Sequence, residues 1–289
     1  MIDTIHGVDF SGAKLAGLNI WIAVAATPAS PIQGRVELAT QASRLQLVSL
    51  NRLGDLAGTE ERAPALAHLV GQILQSNQAL WGIDFPFALP IEIVEPGWGL
   101  NEQLGWVKGF KGDAYAFGRE CVERAKKVGD KLHIRRATDL ETKTPFDCYH
   151  YRIICQTFHG MRDVLGKLVG TTGTIIPPFD RVKRFDRAVV ESCPGSTLKR
   201  WNAPHNNYKQ PAGGPLEAKR IKNRKLILAA LAQRIDIAPA FLRTIQRNPG
   251  GDALDAVLAA VGVWEAWNAS DWRAIEQHPR YSREGKVFA

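Results

Sequence analysis

Four stretches of the chain place carboxylates where an element of secondary structure should begin or end. Gly7-Val8-Asp9-Phe10-Ser11-Gly12 reads as a short buried strand stopping at Asp9, and Gly82-Ile83-Asp84-Phe85-Pro86 repeats the shape. Arg187-Ala188-Val189-Val190-Glu191-Ser192 is a third apolar run that ends in an acid. Asp252-Ala253-Leu254-Asp255 opens a segment of small and apolar residues, and positions three apart share a helix face. Asp252 suits a helix N-terminus, where the dipole and unpaired amides favour an acid. Asp255 has no such explanation. A lone carboxylate among apolar residues is disfavoured by several kcal/mol or takes up a proton, so a bound cation accounts for it simply. Hard oxygen ligands suit Mg²⁺ or Mn²⁺, and two such ions can activate water and stabilise the leaving oxygen of a phosphodiester. The candidate metal ligands are Asp9, Asp84, Asp252, Asp255 and Glu191, with Asp9, Asp84 and Asp255 as the catalytic set. Taken singly, each strand-end acid reads equally well as a turn cap.

Positioning these acids requires a mixed sheet. Strands are expected at 4–9 and 17–26, with a hairpin loop between Gly12 and Gly17, and a third at 34–40 or 45–50. Short connections make these an antiparallel meander. A helix at about 60–76, with Leu66, Val70 and Ile73 at helical spacing, leads to a strand at 79–84, and a strand reached through a helix implies a parallel crossover. Further helices are predicted at 114–128, 147–169 and 216–234, a strand at 187–192, and a buried helix from Asp252. The fold class is therefore α/β, a mixed sheet flanked by helices. The chain reads as a single domain over 1–289, with 91–185 as a helical insertion or subdomain between the fourth and fifth strands.

The bulk numbers point the same way. The chain has 289 residues, 45% hydrophobic and 23% charged, with a net charge of +8, an ordinary globular composition that favours an anionic partner. Positive charge is concentrated: residues 181–225 hold 12 Lys or Arg against three acids. Lys14, Arg184, Lys199, Arg200, Lys219 and Lys222 are the candidate contacts to a nucleic-acid backbone, alongside Arg181, Lys183, Arg220 and Lys225. Trp201 and Tyr208 could stack on bases, although packing against the domain is the simpler role for both. The four cysteines form no Cys-x-x-Cys pair, no leader or apolar run of membrane length is present, and free thiols in a reducing cytoplasm are expected. Cys148, His150, Cys155 and His159 fit no common zinc spacing. Ser192 and Ser196 lack a His at a readable spacing for a triad, and no Gly-x-x-x-x-Gly-Lys-Ser/Thr loop occurs.

The order β-β-β-α-β-α-β-α, with acids on strands one and four and on the last helix, resembles the ribonuclease H-like fold. More closely, Gly7-Val8-Asp9-Phe10-Ser11-Gly12-Ala13-Lys14, Gly82-Ile83-Asp84-Phe85-Pro86, Glu191-Ser192-Cys193-Pro194 and Asp252-Ala253-Leu254-Asp255-Ala256 are similar to the four blocks of the domain-of-unknown-function family numbered 429, described as predicted RNase H-like nucleases. The resemblance spans roughly residues 5–265. It implies a metal-dependent nuclease, a hydrolase, with metal held by Asp9, Asp84, Asp255 and either Asp252 or Glu191. The Asp-x-x-Asp pair is also similar to that of Holliday-junction resolvases. The helix at 60–76 offers no clear match to the acid that ribonuclease H carries on its first helix. Two other readings stand beside this one: a non-catalytic nucleic-acid-binding protein, and an actin-like or sugar-kinase-type nucleotide-binding protein whose first strand also runs into a turn after Asp.

Overall fold

A computed structural model describes residues 2–28, 44–210 and 213–289. Its centre is a mixed sheet of seven strands: β1 (Thr4–Asp9), β2 (Trp21–Ala26), β3 (Leu45–Arg52), β4 (Ala79–Ile83), β5 (Thr174–Ile175), β6 (Arg187–Glu191) and β7 (Ile235–Asp236). They lie in the order β5-β6-β4-β1-β2-β3-β7. The meander is antiparallel, β1 to β2 and β2 to β3, whereas β4 runs parallel to β1, β6 to β4, β5 to β6 and β7 to β3. Of the two expected positions for the third strand, 45–50 falls in β3, and 34–40 lies outside the described residues. The Gly12–Gly17 connection is not a bare hairpin loop, because the short helix Ala16–Asn19 sits between β1 and β2.

Strand alternation sorts the core into two layers. Val8, Trp81, Ile83 and Val189 face one side, where helix Arg62–Gln75 packs through Leu66, Leu69 and Ile73. Helices of the 91–185 stretch cover the same side, including Leu100–Gly109 and Ala114–Val128. The expected helix at 147–169 is broken into turns up to residue 153, helix Ile154–His159, a π-helical turn Gly160–Leu165 and a last turn Gly166–Leu168. Ile5, Leu80, Ala188 and Val190 face the opposite side, covered by helix Asp252–Ala269.

That helix lies against the backbone of the sheet. A Cβ on Gly7 would stand 2.1 Å from the Ala256 carbonyl oxygen, and one on Gly82 would stand 2.5 Å from Val263 Cγ1. Gly7 and Gly82 are register partners on adjacent parallel strands. Any side chain there would lift the helix off the sheet, so the glycines preceding Asp9 and Asp84 serve close helix packing. Helix Ala218–Ala232 adds Ile227 and Leu231 to the same layer. Among the described residues, no helix is long and apolar enough to cross a membrane.

Candidate acidic site

The parallel pairing of β1 and β4 sets Val8 opposite Ile83, and the Asp84 amide donates to the Val8 carbonyl at 3.0 Å. Asp9 and Asp84 therefore stand side by side just past the strands, on the face covered by helix Asp252–Ala269. The first turn of that helix brings in Asp255. All three carboxylates line one cavity of about 460 Å³. Asp9 and Asp255 are buried, and Asp84 is partly exposed to the cavity.

The electrostatics of the cluster are unbalanced. Burial, opposed by Lys209 and reinforced by Asp255, Asp252 and Asp84, holds the Asp9 carboxyl well above the usual carboxylate range. Burial, together with the nearby charge of Asp255, pushes Asp84 up to about 7. Asp255 is also raised, by burial first, against the pull of Lys209 and Tyr208. Among the described residues Lys209 is the one cation in direct contact: its ammonium pairs with Asp255 Oδ2, and although burial opposes its charge, Asp255 and Asp9 outweigh that and keep it protonated. The Tyr208 hydroxyl donates to Asp255 Oδ1 at 2.9 Å. Among the described residues, nothing donates a hydrogen bond to the side-chain oxygens of Asp9 or Asp84.

Lys209 is not recognisable from local pattern, because it lies in an Asn- and Pro-rich loop, and Tyr208 of the same loop is a buried packing residue whose bond to Asp255 the sequence does not show. Arg224, buried on helix Ala218–Ala232, fixes that loop. Its guanidinium donates to the carbonyls of Tyr208 at 2.6 Å, Asn248 at 2.9 Å and Pro249 at 2.7 Å. One side chain thus ties the Tyr208–Lys209 loop to the turn that launches the Asp255 helix.

Glu191 borders the same cavity, as do Arg136 and Asp139, but its oxygens are already taken by protein donors. Its register partner is Ile83, so alternation turns it to the opposite face of the sheet from Asp84. There Arg136 grips it at both oxygens, 2.5 Å to Oε1 and 2.8 Å to Oε2, and the Phe87 amide donates to Oε2 at 2.9 Å. The same guanidinium holds Asp139. Ser192, one residue on, takes the place beside Asp84. Its amide donates to the Ile83 carbonyl at 3.0 Å, and its hydroxyl is buried, borders the cavity and has no partner. Asp252 is half-buried at the start of its helix, outside the cavity lining, and acts on Asp9 and Asp255 through its charge.

The expected basic contacts are dispersed. Lys199 borders the acidic cavity, donating to the Lys143 carbonyl, and Lys209 and Arg220 border it too. Arg200 turns away to Glu265 at 2.8 Å on the outer side of helix Asp252–Ala269. Lys219 and Lys222 are exposed on helix Ala218–Ala232, outside the cavity lining. Arg184 precedes β6, and Glu191 closes it, so Arg184 belongs to the far end of the sheet from the acids. Lys14 lines a separate cavity with Arg62 and Lys167. Trp201 is a packing residue, its indole donating to Glu265 at 2.7 Å under the Arg234 guanidinium. His159 pairs with Asp163 at 2.8 Å, and His150 stacks on Phe146.

The donor set suits a hard divalent cation. It is all oxygen, and it holds three carboxylates against one contacting ammonium. As placed, the carboxylates do not form a closed shell: among the described residues, no three His, Cys, Asp or Glu side chains converge on a point within coordinating reach. Comparison of the chain with protein-family models, with curated proteins and with solved structures gives no match.

Proposed function

We propose that this chain is a divalent-metal-dependent phosphodiesterase of the ribonuclease H-like type that acts on nucleic acid. One observation carries the reading. Asp9 and Asp84, adjacent on parallel strands, face Asp255 across a single cavity, with their proton affinities raised and no protein donor on the first two. Excess buried negative charge of this kind is stabilised by a metal ion, which also explains why the fold keeps it. Asp9, Asp84 and Asp255 would hold Mg²⁺ or Mn²⁺, and the bound ion would supply an activated water and neutralise charge on a phosphate. The chain's own groups do the rest. Tyr208 orients Asp255, and Arg224 fixes the loop that carries Tyr208. Lys199, Lys209 and Arg220 set positive charge on the cavity wall, where phosphate oxygens need it. The unpartnered Ser192 hydroxyl offers a further hydrogen bond beside Asp84. The strand order, with its antiparallel meander, parallel β4 and β6, and acid-bearing last helix, fits the ribonuclease H-like type, and the four motif blocks support membership of family 429.

The test is cleavage of labelled DNA, RNA and hybrid substrates with Mg²⁺ or Mn²⁺. Asp9→Asn should lower the rate more than about 100-fold, since even the outer-shell partners of metal ligands are worth 10–100-fold. Undiminished cutting by this variant, or no cutting of any substrate by the wild type, would overturn the reading.

A further inference from the structure

The turn from Phe146 to Ile153 forms one wall of the acidic cavity, with Phe146 and Ile153 both in its lining. Between them the chain presents a row of flat groups. Phe146 and His150 stack at 4.6 Å with their planes 25° apart, and His150 meets Tyr151 at 4.5 Å. The Arg152 guanidinium lies 5.6 Å over Phe146 and 5.7 Å over Tyr151. This row is not core, for Tyr151 is 63% exposed. The His150 ring accepts from the Arg152 amide at 3.3 Å and the Tyr151 hydroxyl from the Arg152 guanidinium at 3.1 Å, but the turn is anchored to the domain by neighbours that point inward. Asp147 pairs with His133 at 3.0 Å, and the Cys148 carbonyl accepts from the Thr157 hydroxyl at 2.5 Å. Phe146 and His150 are half-buried, whereas the exposed Tyr151 is costly to leave wet and contributes little to stability.

We infer that the Phe146–Arg152 turn is a stacking platform for the unpaired bases of single-stranded nucleic acid, whose phosphates run into the cavity of Asp9, Asp84 and Asp255. Single strands expose base faces, whereas in a duplex those faces are covered by neighbouring bases, so aromatic rings and a guanidinium gain stacking only from unpaired residues. The charges agree. Lys199, Lys209 and Arg220 border the cavity that Phe146 lines at one end of the row, while Tyr151 at the other end lies outside that lining, giving a backbone path next to a base path. The cavity, about 460 Å³, lies in the range of small-ligand sites and takes a nucleotide unit, not the width of a duplex.

The inference rests on the proposed phosphodiesterase for the direction of the strand, and its test is separable from that reading. Binding of fluorescein-labelled oligothymidylate, of a fully paired hairpin and of free thymidine monophosphate is measured by anisotropy and competition in EDTA, where no cleavage occurs. The oligomer should bind more tightly than the hairpin. Tyr151→Ala should weaken it about tenfold, Tyr151→Phe should restore it, and Phe146→Leu should weaken it comparably. Circular dichroism melts confirm that the variants are folded. Equal affinity for hairpin and oligomer, or wild-type binding by both Tyr151→Ala and Phe146→Leu, overturns the platform. Competition by the monophosphate as strong as by the oligomer overturns it in favour of a mononucleotide ligand. Selective, ring-dependent binding with no cleavage on adding Mg²⁺ sinks the phosphodiesterase and leaves the platform standing. Cleavage that is indifferent to Tyr151 does the reverse.

Discussion

Two groups of buried acids, turned to opposite faces of the sheet, border one cavity and are supplied with donors very differently. On the insertion side, Glu191 and Asp139 share Arg136, and all three are almost wholly buried. On the side of the last helix, Asp9, Asp84 and Asp255 have Lys209 and Tyr208 between them, and both of these contact Asp255 alone. The first arrangement is filled with donors: one guanidinium grips both carboxylates, the Phe87 amide adds a hydrogen bond to Glu191, and the Arg136 guanidinium also reaches the carbonyls of Ala88 and Glu284. The second is short of donors, which reach only Asp255 among the described residues. Buried acids whose oxygens are filled by protein donors belong to the structure, and those left without donors are the ones the proposed cation would use.

The sharpest way to break this contrast is to remove the cation of the donor-filled group. Arg136→Met should cost about 3–5 kcal/mol in urea unfolding, because it strands two buried carboxylates. Asp9→Asn on the other face should raise stability in metal-free buffer. Similar losses from both substitutions would dissolve the distinction.

Next in size is the pH response. The folded carboxyl of Asp84 titrates at about 7, above its unfolded value of about 3.9. Its contribution to stability is fully present below the lower value and is lost as pH rises through the upper one, since the unfolded chain gives up the proton first. Metal-free melting temperature should fall across that window. Asp84→Asn should flatten the fall, and Mg²⁺ should lift the alkaline limb. A wild-type profile that is flat through the window, with and without Mg²⁺, would show that the cluster is balanced after all.

The smallest effect is at Ser192. Ser192→Ala removes an unpartnered buried hydroxyl and should stabilise the protein by about 1 kcal/mol while slowing cleavage. Destabilisation by the same amount would place this hydroxyl with the donor-filled group.

How much of this was legible in the sequence follows from which signals are local. Asp9 and Asp84 could be read because apolar runs stop at them, and Asp255 because it interrupts a buried helix. Glu191 could be read as an acid at this end of the sheet, but not which face it takes, because that depends on the register of β6 against β4, and a long insertion separates those strands. Arg136 sits in irregular chain and declares nothing until Glu191 meets it. Tyr208 and Lys209 lie in a loop with no periodicity to mark them. The basic surplus over 181–225 suggested one surface, but β6 runs through that stretch and carries Arg184 and Lys199 to opposite ends of the sheet. The meander and the crossover were readable because short connections and an intervening helix constrain strand direction, while the two-residue strands β5 and β7 are too short to leave a pattern.

The contact of helix Asp252–Ala269 with Gly7 and Gly82 also bears on when the site comes into being. The strand acids are synthesised early and the helix acid late, and the helix can seat only on a sheet whose two glycines are already in register. A nascent chain that has not yet released this helix would carry Asp9 and Asp84 without their counterpart and without the cover that buries them. Assembly of the cluster is therefore a late event in the life of the chain, complete only when its last long helix has docked.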